Sequence, residues 1–350
     1  MASLEDELAD QLQTTLDEST KRARSTRRPL LTHLNADTTW LLSIPIPSPE
    51  TRNHLYYHIL IDLWLRGGQS DVAKFFSQQW HATPSACQSI PEVEAVISGI
   101  EDAAIKEELV EDLKYANGYL KSGASIDAVV VSHEFTDHMH KETLVEIPST
   151  VPVFASQKAA GIISSWKHFN KVVKIERFGG DWRTSSTRPL PEWLGISRVA
   201  YPGADLLYYH AAVMITFSMA EGVEAVIYTP HGISPDDIRP VADANPKIKT
   251  LALLHGLQDI KLGAQLNMGA HNGLRVQRIL ESKYWNGTHD EVKKGGGLVS
   301  WFLNRKMISL KEAIEQEKAE RGNDLTGTDL ESMQDVRFEE LGNGESLVLE

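Results

Sequence analysis

Leu4, Leu8, Leu12 and Leu16 recur every four residues, an apolar stripe that predicts an amphipathic helix from Leu4 to about Thr26. The basic run Lys21 to Arg28, closed by Pro29, reads as a solvated linker beside an acidic helix rather than as a nucleic-acid or membrane patch. From Leu30 the pattern changes to short β-branched and aromatic runs. Thr38–Ile44 and Tyr56–Ile61 read as strands joined by the proline-rich turn Pro45–Pro49. A helical period follows from Glu92 to about Lys121. Val129–Val131 ends a buried strand, and Val151–Ala155 and Val172–Ile175 are strands around a helix from Ser156 to about Phe169. Gly179 to Pro191 is rich in turn residues and reads as the rim of a site. Strands resume at Leu206–Phe217, Ala225–Tyr228 and Thr250–Leu254, and Gly273–Lys283 looks helical. A helix from Ser309 to about Arg321 opens a polar, glycine-interrupted tail whose last part is expected to be loosely ordered. This order predicts an α/β (α+β) fold with two sheets between helix layers. The segments are residues 1–29 (helix and linker), 30–308 (the main domain) and 309–350 (helix and acidic tail).

Composition narrows the classes. A chain of 350 residues with 41% hydrophobic and 24% charged residues can bury a sizeable core. The net charge of −13 argues against a nucleic-acid or anionic-membrane surface. Residues 311–350 hold 12 acidic and 4 basic side chains, so the tail carries −8 of that charge. The single cysteine, Cys87, excludes an internal disulfide and points to a reducing compartment. It lies in a polar run without a nucleophile's pattern. The first residues are acidic and lack the apolar core of a signal peptide. No apolar run approaches the ~18–20 residues that span a bilayer. A cytoplasmic protein without a membrane span is expected.

The chemistry concentrates after Val131, in Ser132-His133-Glu134-Phe135-Thr136-Asp137-His138. Imidazoles plus a carboxylate form the donor set that suits zinc and related ions. The bland alternative makes Asp137 the cap of a helix starting near Met139, with His138 and His140 exposed on it. The segment resembles the His-x-His-x-Asp-His signature of the metallo-β-lactamase superfamily, with His133, Asp137 and His138 matched and Phe135 in place of the second histidine. The resemblance covers about Leu30 to Lys306 and points to the phospholipase-D-type and lactonase-like branch. It implies a four-layer αββα sandwich and a metal-activated water attacking a carbonyl or phosphoryl centre of a small-molecule substrate.

The resemblance also implies the remaining ligands. His231, in Tyr228-Thr229-Pro230-His231-Gly232, stands roughly where the family has a bridging Asp. His289, in Tyr284-Trp285-Asn286-Gly287-Thr288-His289-Asp290-Glu291, stands for the family's last histidine, preferred over His255, with Asp290 or Glu291 to orient it. The expected site is His133, Asp137, His138, His231 and His289 around one divalent ion, zinc before iron or manganese. Asp137 would be both ligand and the carboxylate that orients or deprotonates the water. Asp62, before Gly67 and Gly68, is either a turn former or a positioning group. His210 reads as a core histidine. His255 and His271 read as pocket-lining, and His33, His54, His58, His81, His140 and His168 carry no context. Two rival readings remain open: a degenerate member of the fold used as a binding scaffold, and a non-haem iron oxygenase built on His133, Asp137 and His138.

Overall fold

The computed structural model describes residues 4–47, 54–71, 73–108, 126–200, 208–219, 222–321 and 337–350. The chain divides into two compact units. The first comprises residues 1–69, 80–173 and 341–350, and the second residues 70–79 and 174–340. Eight α-helices and several sheets make the described residues a mixed α/β fold.

The first unit is built on a seven-stranded sheet. Its order is Ser346–Val348, Leu30–His33, Trp40–Pro45, Tyr56–Ile61, Ala128–Val131, Val153–Ala155, Val172–Lys174. The first three pairs are antiparallel, and helical connections make Tyr56–Ile61, Ala128–Val131 and Val153–Ala155 parallel. Strand runs such as Ala128–Val131 are buried along their whole length, so they show no polar alternation. The helix Leu4–Thr26 forms as expected and buries Leu16, Thr20 and Ala23, one stripe at helical spacing. The helix expected from Glu92 begins at Ile90 and is described to Glu108; the rest of that expectation lies outside the described residues. The helix after Ser156 ends at Ser165, four residues short.

The C-terminus corrects an expectation. Residues 341–350 belong to the first unit, where Ser346–Val348 pairs antiparallel with Leu30–Thr32. Leu349 is fully buried, and its N–H donates to Pro29 O at 2.9 Å. The basic run has its use here too. Arg22 grips both carboxylate oxygens of Glu350 at 2.6 Å, and Arg28 donates to Leu349 O at 2.8 Å. Deleting residues 341–350 is therefore expected to destabilise the fold by ~3–5 kcal/mol, from the lost burial of Val348 and Leu349. A thermal melt unchanged by the truncation would refute this.

The second unit carries a six-stranded sheet in the order Phe338–Glu339, Tyr284–Asn286, Ile248–His255, Gly222–Thr229, Ala212–Met219, Leu194–Val199. A small sheet joins Ala264–Asn267, Gln258–Leu262 and Asn304–Met307. The helices Pro235–Ala242, Ala270–Leu280 and Leu310–Arg321 also belong to it. Gly273, on the second of these, lets Trp285 approach: a Cβ there would meet the indole at 2.2 Å. Leu194–Val199 is a strand the pattern did not announce. Of the strand expected from Leu206, Ala212–Met219 is observed, Tyr208–His210 is a turn, and the start lies outside the described residues. Gly179–Pro191 contains a 3-10 turn, Trp182–Ser185, capped by the Asp181 carboxylate.

Candidate metal centre

The His133 segment leaves the carboxyl end of Ala128–Val131 as a turn. The N–H groups of His138 and Met139 both donate to Phe135 O, at 2.9 and 3.0 Å. The next helix begins only at Lys141 with His140 at its N-cap, and His138 and His140 are buried, so a helix starting near Met139 with both exposed is not what forms. Thr38 Oγ1 donates to Asp137 O at 2.8 Å, and Thr136 Oγ1 donates to Gln69 Oε1 at 2.6 Å, fixing the turn from outside. His133, Asp137 and His138 are all buried.

Parallel pairing sets Tyr56–Ile61 beside Ala128–Val131, which brings Asp62 next to Ser132. Asp62 sits at φ 43°, a left-handed conformation that costs a non-glycine residue energy and is tolerated where the surroundings enforce it. Its Oδ1 accepts from Ser132 N at 2.7 Å. Its Oδ2 accepts from Ser132 Oγ at 2.5 Å and from His138 Nδ1 at 2.6 Å. Of the two roles open to Asp62, it fills the positioning one. Both the Asp62 and His138 side chains are fully buried. A carboxylate on Nδ1–H fixes the tautomer and leaves the Nε2 lone pair for a metal. That Nε2 is buried and makes no hydrogen bond, and it lies 3.7 Å from Asp137 Oδ1. Two ligands ~2.0–2.1 Å from a tetrahedral ion stand about 3.3 Å apart, so the pair fits a shared cation with a small adjustment. His133 differs. Its Nδ1 accepts a long bond from Phe135 N at 3.3 Å, and its ring packs 3.9 Å from that of His138. Phe135 packs edge-on against His133 at 4.8 Å, an apolar contact that cannot ligate.

The second unit holds the downstream candidates. His231 follows Gly222–Thr229 and its Nδ1 meets Asn267 Oδ1 at 2.7 Å, which again leaves Nε2, buried and without a hydrogen bond. Gly232, at φ 81°, is demanded here because a Cβ would come within 2.6 Å of Met268 Cβ. His289 also sits at a left-handed φ of 59°, and its ring lies 5.0 Å from that of His231. Asp290 accepts from Leu257 N and Gln258 N at 2.8–2.9 Å, so it anchors the loop that carries His289. Lys293 Nζ lies 3.4 Å from His289 Nδ1.

The remaining histidines are accounted for by the fold. His255 has both ring nitrogens engaged, by Gly256 O and Asn272 Oδ1, and burial lowers its pKa despite those bonds. It is fully buried. His210 bonds to Leu266 O, as a core histidine should, and His271 reaches Gln316. His54, His58 and Glu101 bring ligand atoms within 4.8 Å, a cluster the sequence did not suggest. Its atoms are already spent. Glu101 accepts from Leu55 N, Tyr56 N and His58 Nε2, and His58 Nδ1 meets Ser43 Oγ. Burial works to raise the Glu101 pKa, but the His58 bond and charge and the two amides hold it below the usual value. Cys87 is buried, and burial, then Glu92, pushes its thiol up to about 12, which ends its case as a nucleophile. Sequence reasoning missed Ser132 and Asn267. Ser132 was signalled by its place at the strand end, whereas nothing in the chain announces Asn267.

No protein-family model matches the sequence, and no curated protein matches it either. Solved structures do match. A possible metal-dependent hydrolase from Veillonella parvula DSM 2008 aligns at 15% identity and TM-score 0.52, over 92% of this chain and 100% of that one. An isothiocyanate hydrolase from Delia radicum gut bacteria aligns at 13% and 0.50, over 92% and 99%. A mutant CmlA β-hydroxylase aligns at 14% and 0.50, over 92% of this chain but 54% of that one. Identities this low speak for architecture alone, and the architecture is the metallo-β-lactamase fold.

Proposed function

We propose that this protein is a metal-dependent hydrolase in which His133, Asp137 and His138 of the first unit and His231 and His289 of the second hold one divalent ion, zinc by donor chemistry. Joining the two sets rests on the family's signature. The observation that carries the reading is the buried Asp62–His138 pair at 2.6 Å, a carboxylate that orients an imidazole whose other nitrogen is left for a ligand role. When bound, such an ion lowers the pKa of water and polarises an ester, lactone, amide or phosphodiester. Asp62 fixes the tautomer and aim of His138, and Asn267 aims His231. The Asp137 carboxylate orients the attacking water and takes its proton. The lone buried cysteine suits the reducing cytosol.

The test is metal analysis of protein purified without chelator, followed by hydrolysis assays over those four bond types. About one equivalent of metal is expected, with activity lost on chelation and restored by the ion. A folded protein that binds no divalent ion would overturn the reading. It would leave the scaffold alternative, which Phe135 at a ligand position favours.

A further inference from the structure

One face of the second unit exposes large apolar side chains. Phe75 is 75% exposed, Leu298 52%, Trp301 85% and Phe302 71%. They belong to one surface, because the turn Gly297–Trp301 is packed on the short helix Lys74–Ser77. Gly296 N donates to Gln78 O at 2.7 Å, and a Cβ on Gly297 would fall 2.7 Å from Phe75 O. Single exposed apolar residues are ordinary, but four large ones converging in one place mark an interaction site.

The charge around them selects the occupant. Residues 292–307 contain four basic side chains and no acidic one, in a chain of net charge −13. Lys74, Lys294 and Lys306 are exposed. Acidic residues flank these segments at Asp71, Asp290 and Glu291, and Asp259 stands in register with Lys306. Protein-binding patches are depleted in lysine. Tryptophan, phenylalanine and leucine set among lysines are the composition of an interfacial membrane anchor, where rings enter the headgroup boundary and ammonium groups meet anionic lipid. Overall negative charge does not forbid this, since charges beyond ~8 Å are largely screened at physiological salt. No described helix is long and apolar enough to cross a bilayer, so attachment would be from the surface.

We propose that Phe75, Leu298, Trp301 and Phe302, with Lys74, Lys294 and Lys306, dock the protein on a bilayer surface carrying anionic headgroups. The full chain should co-sediment with phosphatidylserine-containing vesicles, weakly with phosphatidylcholine alone, and less as salt rises. Lys294→Glu with Lys306→Glu should weaken that partition by more than about twentyfold, given a roughly fivefold loss per lysine near an anionic surface. Trp301→Ser with Phe302→Ser should cost more than about tenfold and leave the melting temperature unchanged. If the aromatic variant fails to fold, the charge variant alone decides. Absence of serine-dependent binding, or binding that the folded variants leave intact, overturns the proposal. So does concentration-dependent self-association that Trp301→Ser abolishes while vesicles are ignored, since the face would then belong to a second copy.

Discussion

Asp137→Ala is expected to purify without metal and without hydrolytic activity, yet to melt within a few degrees of the parent protein. Its carboxylate offers the donor set its only anionic oxygen, and Oδ1 shares space with His138 Nε2. Thr38 bonds the Asp137 carbonyl, which alanine keeps. The loss of metal affinity should exceed the roughly 10–100-fold that removal of an outer partner costs. His138→Ala is a poorer test, since it strands the buried Asp62 carboxylate, and breaking a buried pair destabilises by ~3–5 kcal/mol. His133→Ala should cost less affinity than either, because its Nδ1 takes a 3.3 Å bond from Phe135 N, a weaker hold than the 2.6 Å Asp62 contact on His138. Titration with zinc, followed by melting curves, separates the three. An Asp137→Ala protein that keeps full metal occupancy would move the site elsewhere.

How much of this was legible in the sequence depends on how local the cause is. The His133 turn was legible because a buried β-branched strand stops abruptly at a cluster of donors, and strand and donors are neighbours in the chain. Asp62 was half-legible: its turn residues were visible, but parallel pairing with Ala128–Val131 is what turns it into the partner of His138. Asn267 was not legible, because it meets His231 across 36 positions and only the fold brings them together. The strand Leu194–Val199 escaped because glycine, serine and arginine interrupt its apolar residues, and pairing with Ala212–Met219 overrides that weak propensity. The C-terminus misled for a related reason. An acidic, glycine-broken composition averages away the short run Leu347–Leu349, yet those residues fill the edge beside Leu30–Thr32.

Metal stoichiometry is where this chain should depart most from the metallo-β-lactamase pattern it resembles. At most one tightly bound divalent ion per chain is expected. Phe135 occupies a ligand position of the signature and packs edge-on against His133 instead. Near Tyr201–Gly203, where the resemblance asks for a middle histidine, the sequence has none. His231 stands in for the bridging carboxylate, and its Nδ1 is engaged with Asn267, so the ring has one nitrogen to offer and no negative charge. Lys293, 3.4 Å from His289, adds a positive charge on that side. Two dications about 4 Å apart repel by roughly 17 kcal/mol even at an effective dielectric of ~20, so without an anionic bridge the second ion has little to hold it. Phe135→His combined with His231→Asp should then raise capacity toward two ions. Isothermal titration of the unaltered protein decides the matter: saturation at two tight equivalents would show that the altered motif still builds a dinuclear centre.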